Sequence, residues 1–342
     1  MLAGKLPMEL LSRLLSDIDV RDPRVVLGAR AGEDAALIDM GDRYLVAKTD
    51  PITFATDLIG WYLVQVNAND LASMGATPRW LMATLLLPEG TTEEQTEAIF
   101  TQLLEACNSL GITLIGGHTE ITYNLPRPIA MGAMLGEVAK DRVVLTSGAQ
   151  VGDSIVLTQG IAIEGTSILA REAEDALAAK GVPQPAIERA KSFLFTPGIS
   201  VAKAATIACD TATVHAMHDP TEGGVATALL ELATAASVGM TIDAVRIPIL
   251  PECRTICEAL SLDPLGLIAS GALLATLPPA EAEQLVATLN QEGIPASVIG
   301  IVTPASEGLR LVSNGTSRPL PTFERDELAR FFADDGTAPQ DA

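Results

Sequence analysis

Acidic residues dominate the charge of this 342-residue chain: Asp and Glu number 43 against 22 Lys and Arg, so the formal net charge is −21. Such a surface repels nucleic acid and anionic membranes, which bind proteins through Lys and Arg, and we expect neither as a partner. Apolar residues make up 48% of the chain, which argues against disorder, and the length predicts about two domains.

The sequence also carries signals of location. No apolar run reaches the ~20 residues that cross a bilayer, and the first residues lack the apolar core of a secretory signal. The four cysteines, Cys107, Cys209, Cys253 and Cys257, show no zinc-ligand spacing. We therefore expect a cytoplasmic protein with reduced thiols.

Periodic patterns predict alternating strands and helices in the first part of the chain. An amphipathic helix built on leucines comes first. A helix over about 58–74 ends at Gly75, and another, opened by the capping-box pattern Thr91-x-x-Glu94, ends at Gly111. The apolar runs that predict strands are 35–39, 44–48, 80–87, 112–115 and 128–138.

The second part of the chain has the pattern of strands separated by Ala-rich helices. Its predicted strands are 153–157 and the runs near 213–217, 240–243, 271–276 and 296–302. Glycines near residue 148 mark a change of pattern, so we place domains at 1–148 and 149–333 and a disordered tail at 334–342. The predicted fold class is α+β, with the helices of the first domain on one face of its sheet.

Four short motifs in the first third place acidic, amide or imidazole side chains beside glycine or at the end of an apolar run. They are Gly32-Glu33-Asp34-Ala35-Ala36, Lys48-Thr49-Asp50-Pro51, Asn67-Ala68-Asn69-Asp70 and Gly116-Gly117-His118-Thr119-Glu120. Buried charge is costly unless it is paired or bound to metal, and Mg²⁺ takes carboxylate and phosphate oxygens. A turn or a helix cap explains any one motif equally well. Together the motifs favour a site for Mg²⁺ and nucleotide phosphates.

The residue types within these motifs indicate different contacts. Asn67 and Asp70 lie three residues apart and share a face of the predicted helix. Lys48 can neutralise phosphate, and the Thr49 hydroxyl can reach metal or phosphate. The glycines that let the main chain approach phosphate oxygens are Gly32, Gly116 and Gly117. Neither a Walker P-loop nor a G-x-G-x-x-G pattern is present.

A second cluster, His218-Asp219-Pro220-Thr221-Glu222-Gly223-Gly224, precedes a predicted helix over 226–236. Asp219 or Thr221 is the expected N-cap, and a helix start with two glycines suits an anion. An ordinary capped helix start explains the pattern as well.

These motifs, in this order and over nearly the whole chain, resemble the superfamily of aminoimidazole ribonucleotide (AIR) synthetase, thiamine-monophosphate kinase, selenophosphate synthetase and the hydrogenase-maturation dehydratase HypE. Within that superfamily the chain is most similar to HypE. The strings that carry this closer likeness are Arg127-Pro128-Ile129, Gly136-Glu137-Val138 and Ser270-Gly271-Ala272-Leu273-Leu274.

The resemblance implies a two-domain PurM-like fold, with an amino-terminal domain of β-α-β-β-α-β type and a carboxy-terminal α+β domain, that forms a homodimer and binds ATP and Mg²⁺. The metal ligands that it implies are Asp34, Asp50 and Asp70. The catalytic residues that it implies are Lys48, Asp50 and Asp219. The implied contacts to ATP are Gly32, Thr49, Asn67, Gly116, Gly117, Thr119, Gly223 and Gly224.

Two departures from the family pattern bear on function. Enzymes of the HypE type carry their substrate on a cysteine at the extreme carboxy terminus, whereas this sequence ends in Thr-Ala-Pro-Gln-Asp-Ala and its last cysteine is Cys257. His118 stands where several relatives have a metal-binding aspartate, and imidazole is a poor ligand for Mg²⁺.

The resemblance therefore implies an ATP-dependent enzyme that activates an oxygen of a free small-molecule substrate, amide-like or phosphate, by phosphoryl transfer. Two alternatives stay open at this point. One is a small-molecule kinase of the thiamine-monophosphate kinase type, and the other is a nucleotide-binding regulatory protein without turnover.

Overall fold

The computed structural model describes residues 6, 8–30, 32–53, 55 and 57–334. The chain divides into two compact units. The amino-terminal unit comprises Asp19–Ala29 and Asp34–Val143, and the carboxy-terminal unit comprises the first helix, the segment that contains Gly32, and the chain from Val144 onward. Each unit contains one β-sheet with helices packed on it, which confirms the predicted α+β class.

The first part of the chain forms one short helix, α1, and then the elements of the amino-terminal unit. In chain order they are α1 (Met8–Ser16), β1 (Val25–Leu27), β2 (Ala36–Asp39), β3 (Arg43–Ile52), α2 (Ile59–Ser73), β4 (Thr77–Pro88), α3 (Glu93–Leu110), β5 (Thr113–Thr122) and β6 (Ile129–Ala139).

The sheet of the amino-terminal unit has the strand order β1-β2-β3-β6-β4-β5. Neighbouring strands in this sheet pair antiparallel, except β4 and β5, which are parallel. Alternate residues of β6 are buried, as expected for a strand with one face toward a core. Helix α2 packs on β3 and β6, and α3 packs on α2. Every residue of α2 except Trp61 is buried, so its polar side chains must find partners inside the unit.

The carboxy-terminal unit continues with seven strands and eight helices among the described residues. They are β7 (Ser154–Thr158), α4 (Ile163–Glu172), α5 (Glu174–Ala179), α6 (Gln184–Lys191), α7 (Ala202–Thr211), β8 (Ala216–His218), α8 (Gly224–Ala236), β9 (Gly239–Asp243), α9 (Pro251–Leu260), β10 (Leu274–Leu277), α10 (Pro279–Gln291), β11 (Ala296–Thr303), β12 (Leu309–Ser313), β13 (Thr316–Pro319) and α11 (Glu327–Asp334).

The sheet of this unit has the strand order β13-β12-β9-β11-β7-β10-β8, in which only β12 and β9 are parallel. Its core joins the apolar side chains of the central strands to the inner face of α8. Core members that are fully buried include Ile155, Leu157, Leu229, Leu232, Ile242 and Leu274. No helix in the described ranges is both long and apolar enough to cross a membrane.

Two predicted helix caps are wrong by a few residues. The capping box of α3 is formed by Thr92 and Gln95, not by Thr91 and Glu94, because the Thr91 hydroxyl donates to the Pro88 carbonyl in the preceding turn. The N-cap of α8 is Gly223, with no side-chain cap bond. Neither Asp219 nor Thr221 takes that place.

Among the strands that extend further than predicted, β3 and β5 gain motif residues. Strand β3 continues through Asp50 because its pairing with β6 runs on to Ile52. Strand β5 continues through the Gly116-Gly117 pair because it resumes its pairing with β4 after a bulge at Ile115. The sequence patterns do not predict β1, β12, β13 or α11. Residues 335–342 of the predicted tail lie outside the described residues.

Candidate functional site

An ion pair joins β3 to α2 in the amino-terminal unit. Lys48 Nζ lies 3.3 Å from Asp70 Oδ1, and the Asp70 side chain is only 5% exposed. Burial raises the pKa of Asp70 to about 7; Lys48 opposes this shift, while the charges of Asp50 and Asp34 add to it. One ammonium group therefore shares its surroundings with three carboxylates.

A buried serine brings Asp34 to this cluster. Asp34 precedes β2, and its Oδ2 accepts a hydrogen bond of 2.9 Å from the hydroxyl of Ser73 at the end of α2. The same hydroxyl lies 2.8 Å from the main-chain carbonyl of Asp70, one helical turn earlier. Both side chains are buried. The structure therefore brings together the three predicted metal ligands and Lys48.

Asn67 reaches the same cluster through the main chain of Asp50. Its Oδ1 accepts the N–H of Asp50 at 3.0 Å, and its Nδ2 donates to the Asp50 carbonyl at 3.2 Å. Thr49, between Lys48 and Asp50 on β3, points to the opposite face of the sheet. Its hydroxyl donates to the Gly132 carbonyl at 2.7 Å, so the strand separates Thr49 from Asp70.

The Gly116-Gly117-His118-Thr119 motif lies on β5, which is the far edge of the sheet from β3. Strands β6 and β4 intervene, so the two sites are about 14 Å apart at ~4.8 Å per strand. The motif lines a cavity of about 410 Å³ together with Phe100 and Leu103 of α3. Within this unit, the structure does not bring the motif to the acidic cluster.

Gly117 has a packing reason of its own. A Cβ at this position would lie 1.8 Å from the Ala83 carbonyl oxygen on β4. Its neighbour His118 is exposed and lies 3.1 Å from Glu120, Nε2 to Oε2. Hydrogen bonds from His118 and then Thr122 lower the pKa of the Glu120 carboxyl. His118 is thus engaged with a carboxylate on its own strand.

The glycines of the carboxy-terminal unit also meet protein atoms. The Gly223 amide donates to Asp326 Oδ2 at 2.6 Å, and a Cβ on Gly224 would lie 2.4 Å from the Leu265 carbonyl oxygen. The anion at the start of α8 is therefore the Asp326 carboxylate. Gly32, the remaining predicted glycine, packs near Ala235 of α8.

The residues that begin this segment are buried. Asp219 is 1% exposed, and His218 Nε2 lies 3.0 Å from Glu231 Oε2 on α8. The imidazole is thus held by a carboxylate one helix away.

Two family models match the chain: the AIR synthase related protein N-terminal domain over residues 32–138 and the AIR synthase related protein C-terminal domain over residues 150–312. The carbamoyl dehydratase HypE of Rhodobacter capsulatus is 30% identical over 284 residues, which are 81% of this chain and 78% of that protein. The chain belongs to the AIR synthase-related family. The resemblance found in the motifs is thereby confirmed.

The family contains proteins of more than one named activity. The thiamine-monophosphate kinase of Halobacterium salinarum is 29% identical over 302 residues, 83% of this chain and 92% of that protein. A crystal structure of the hydrogenase maturation protein HypE in complex with ATP superimposes with a TM-score of 0.72 at 23% identity, over 96% of this chain and 98% of that one. This likeness confirms the two-domain PurM-like fold.

Sequence reasoning missed a second set of buried acids in this family member. Glu164, near the start of α4, is 4% exposed and accepts the amide of Ser270 at 3.3 Å. Burial raises the pKa of Glu164 to about 7; Ser270 opposes this shift, and the charges of Asp326 and Glu222 add to it. A glutamate inside the apolar run that begins α4 is the one signal that could have identified it. Ser73 has no such signal, because one serine near the end of a predicted helix does not stand out from its neighbours in the sequence.

Replacing Glu164 by Gln should stabilise the protein above neutral pH. Between pH 4.5, the ordinary pKa of glutamate, and about 7 the folded protein holds a proton that the unfolded chain releases, so the free energy of unfolding falls as pH rises through that range. Gln keeps an oxygen for the Ser270 amide and has no titratable proton. We expect Glu164→Gln to gain about 3 kcal/mol at pH 8 and almost nothing at pH 4, as measured by urea unfolding.

The control is Glu172→Gln, an exposed acid on the same helix, which should change stability by less than about 0.5 kcal/mol at either pH. A Glu164→Gln gain that is the same at pH 4 and pH 8 would contradict the buried-proton explanation.

Proposed function

We propose that this protein is an ATP-dependent enzyme that activates an oxygen of a small-molecule substrate, amide-like or phosphate, by phosphoryl transfer. The observation that carries the proposal is the gathering of Asp34, Asp50 and Asp70 around Lys48 in the amino-terminal unit. Phosphoryl transfer depends mostly on positioning and on neutralising phosphate charge. A lysine among metal-binding carboxylates provides both.

The donor set fits Mg²⁺. Three carboxylates against one ammonium leave negative charge that a buried site must offset, and carboxylate oxygens are the ligands that this cation prefers. Oδ2 of Asp70, a buried atom, has no hydrogen-bond partner in the described part of the chain. We assign Asp34, Asp50 and Asp70 to the metal. Mg²⁺ held there supplies positive charge toward the phosphates of ATP.

The chain's own groups then have distinct tasks. Lys48 adds a fixed positive charge beside the metal ligands and is the residue that we expect to meet a phosphate oxygen. Ser73 fixes the direction of the Asp34 carboxylate through its 2.9 Å hydrogen bond. The contributions of Gly116, Gly117 and Thr119, and that of Asp219, rest on the family resemblance. They are part of the proposal.

A free substrate agrees with the state of the cysteines. Cys107, Cys253 and Cys257 are buried, and Cys209 is half-buried. Burial raises the pKa of Cys107, the thiol of the amino-terminal unit, to about 11, so it is a poor nucleophile at neutral pH. Burial also shields the Cys253 and Cys257 thiols from a substrate. The carbamoyl group acted on by the R. capsulatus relative is the model for the amide-like class.

A small-molecule kinase is the second candidate. It is favoured by the relative from H. salinarum, which covers most of this chain. Both candidates use the same acidic cluster, and they differ in product: a kinase leaves the phosphoryl group on its substrate, whereas oxygen activation ends with inorganic phosphate released.

We also propose a homodimer that uses β5. This strand has no neighbour beyond β4 in the described sheet, and it is exposed along almost its whole length. Its apolar side chains Ile115 and Ile121 are more than half exposed. An exposed apolar edge strand is a surface suited to pairing with another chain.

The test is ATP turnover by the purified protein, with and without Mg²⁺, against a panel of amides, formyl-amidines and phosphorylated heterocycles. Stimulation by one compound, dependent on Mg²⁺, supports an enzyme, and analysis of the phosphate distinguishes oxygen activation from a kinase. Tight ATP binding with no stimulation by any compound would favour a nucleotide-binding regulatory protein without turnover. Absence of ATP binding would overturn the proposal. Sedimentation velocity of the same sample tests the dimer.

A further inference from the structure

Asn67 is fully buried on α2, and its side-chain amide makes three hydrogen bonds to the main chain. Besides its two bonds to Asp50, Nδ2 donates to the Leu63 carbonyl at 2.9 Å. An amide carries only two N–H hydrogens, and both are used by carbonyl oxygens. Asn67 therefore has no hydrogen left with which to contact a nucleotide.

The two hydrogen bonds from Asn67 to the main chain of Asp50 take the place of bonds from a neighbouring strand. A side-chain amide offers a donor and an acceptor side by side, as a peptide group does. Asn67 presents this pair to the N–H and the C=O of one residue, Asp50. Strand β2 pairs with β3 only as far as Ala47 and does not reach Asp50. The helix thus holds β3 at the residue that bears the carboxylate.

Gly132 provides the space for this contact. It lies opposite Asp50 on β6, and a Cβ there would be 2.6 Å from Nδ2 and 2.8 Å from Cγ of Asn67. Gly132 is not among the glycines with positive φ, so its conformation does not require glycine. Glycine is required at this position because the Asn67 side chain occupies the space that a Cβ would need.

We propose that Asn67 and Gly132 form a clamp that positions the Asp50 carboxylate, and that Asn67 is a positioning residue and not a ligand of ATP. The inference deepens the proposed function, because the position of Asp50 matters for turnover only if Asp50 acts at the metal and phosphate site. It replaces the ATP contact that the family resemblance implies for Asn67.

The first test needs no activity. Gly132→Ala should shift the urea midpoint strongly in the wild-type background and much less in Asn67→Ala, because removing the amide frees the volume that the new methyl group needs. The matched control is Gly136→Ala on the same strand, where a Cβ would crowd the Thr77 carbonyl oxygen at 2.6 Å. Its effect should be the same with or without Asn67. Additive effects of Asn67→Ala and Gly132→Ala would overturn the clamp, whatever the enzyme does.

The second test separates positioning from nucleotide contact. Asn67→Ala should lower kcat for ATP turnover by about 100-fold through misplacement of Asp50, while the Kd for ATP measured in EDTA changes less than about twofold. A rise in that metal-free Kd as large as the fall in turnover would identify Asn67 as a nucleotide ligand and overturn the inference. If the wild-type protein turns over no ATP, the proposed function fails, and the urea experiment still decides the clamp.

Discussion

We expect Asp50→Asn to lower ATP turnover by at least about 100-fold and to leave the protein folded. Asn has the shape of Asp, so the bonds from Asn67 to the main chain of residue 50 can persist. Only the charge is lost, and removal of one preorganised charge at a phosphoryl-transfer site costs about 100-fold to 1,000-fold in rate. Turnover at saturating ATP and Mg²⁺, together with a thermal melt of the same sample, measures both parts of this expectation.

The melt carries additional information. The Asp50 charge is one of the groups that raise the pKa of Asp70. In Asp50→Asn that pKa should fall from about 7, so less free energy of unfolding is lost as pH rises toward neutrality. We therefore expect the inactive variant to be at least as stable as the wild type at pH 8. Lower stability at pH 8 would mean that Asp50 has a structural role.

The control for turnover is Asp42→Asn. Asp42 lies in the turn between β2 and β3, exposed, with Oδ2 at 2.8 Å from Arg43. Exposed ion pairs contribute little to stability, and this residue has no part in the cluster. Turnover should stay within about twofold of the wild type. Equal losses in Asp42→Asn and Asp50→Asn would refute a specific role for Asp50.

Gly117→Ala should destabilise the protein by about 4 kcal/mol or more. The added Cβ would lie 1.8 Å from the Ala83 carbonyl oxygen and 2.7 Å from its carbon. These are main-chain atoms of a central strand, so they cannot rotate away as a side chain could. The β4–β5 pairing would have to break or shift, and severe overpacking is one of the few causes of a loss this large. Urea unfolding followed by circular dichroism measures the change.

Gly116→Ala is the matched comparison. Gly116 and Gly117 have φ of +158° and +150°, so both substitutions carry backbone strain of about 1–3 kcal/mol. A Cβ on Gly116 has no atom within 4 Å, so the difference between the two variants isolates the collision with Ala83. Two equal losses would show that strain, and not the approach of β4, explains the need for glycine.

The sequence predicts those parts of this fold that rest on local chemistry. Gly111 ends α3 in a left-handed conformation, as the pattern indicates, and the acidic motifs that are adjacent in sequence come from elements that pack together. The family resemblance assigns Lys48, Asp50 and Asp70 to one site, and they come together because β3 and α2 follow each other along the chain and pack on each other.

Contacts between distant segments are not visible in the sequence. The bond from Gly223 to Asp326 spans 103 residues, and no local pattern reports it. The two glycines before α8 predict an anion contact, and only the folded chain shows that a carboxylate of the protein makes one with Gly223. The extension of β5 was missed for a related reason. Glycines usually interrupt strands, but here the approach of Ala83 requires one, and only the three-dimensional pairing of β4 with β5 reveals that requirement.

The burial of α2 also determines how the acidic cluster can open. A helix with solvent along one side can fray while its neighbours stay in place, but α2 is covered on all sides except at Trp61. We expect its amide hydrogens to exchange with water only when β3, β6 and α3 move as well, as one cooperative unit. Lys48, Asp50 and Asp70 therefore belong to a slowly opening part of the molecule. We expect conformational steps that accompany the reaction to arise in the loops around this cluster and not within it.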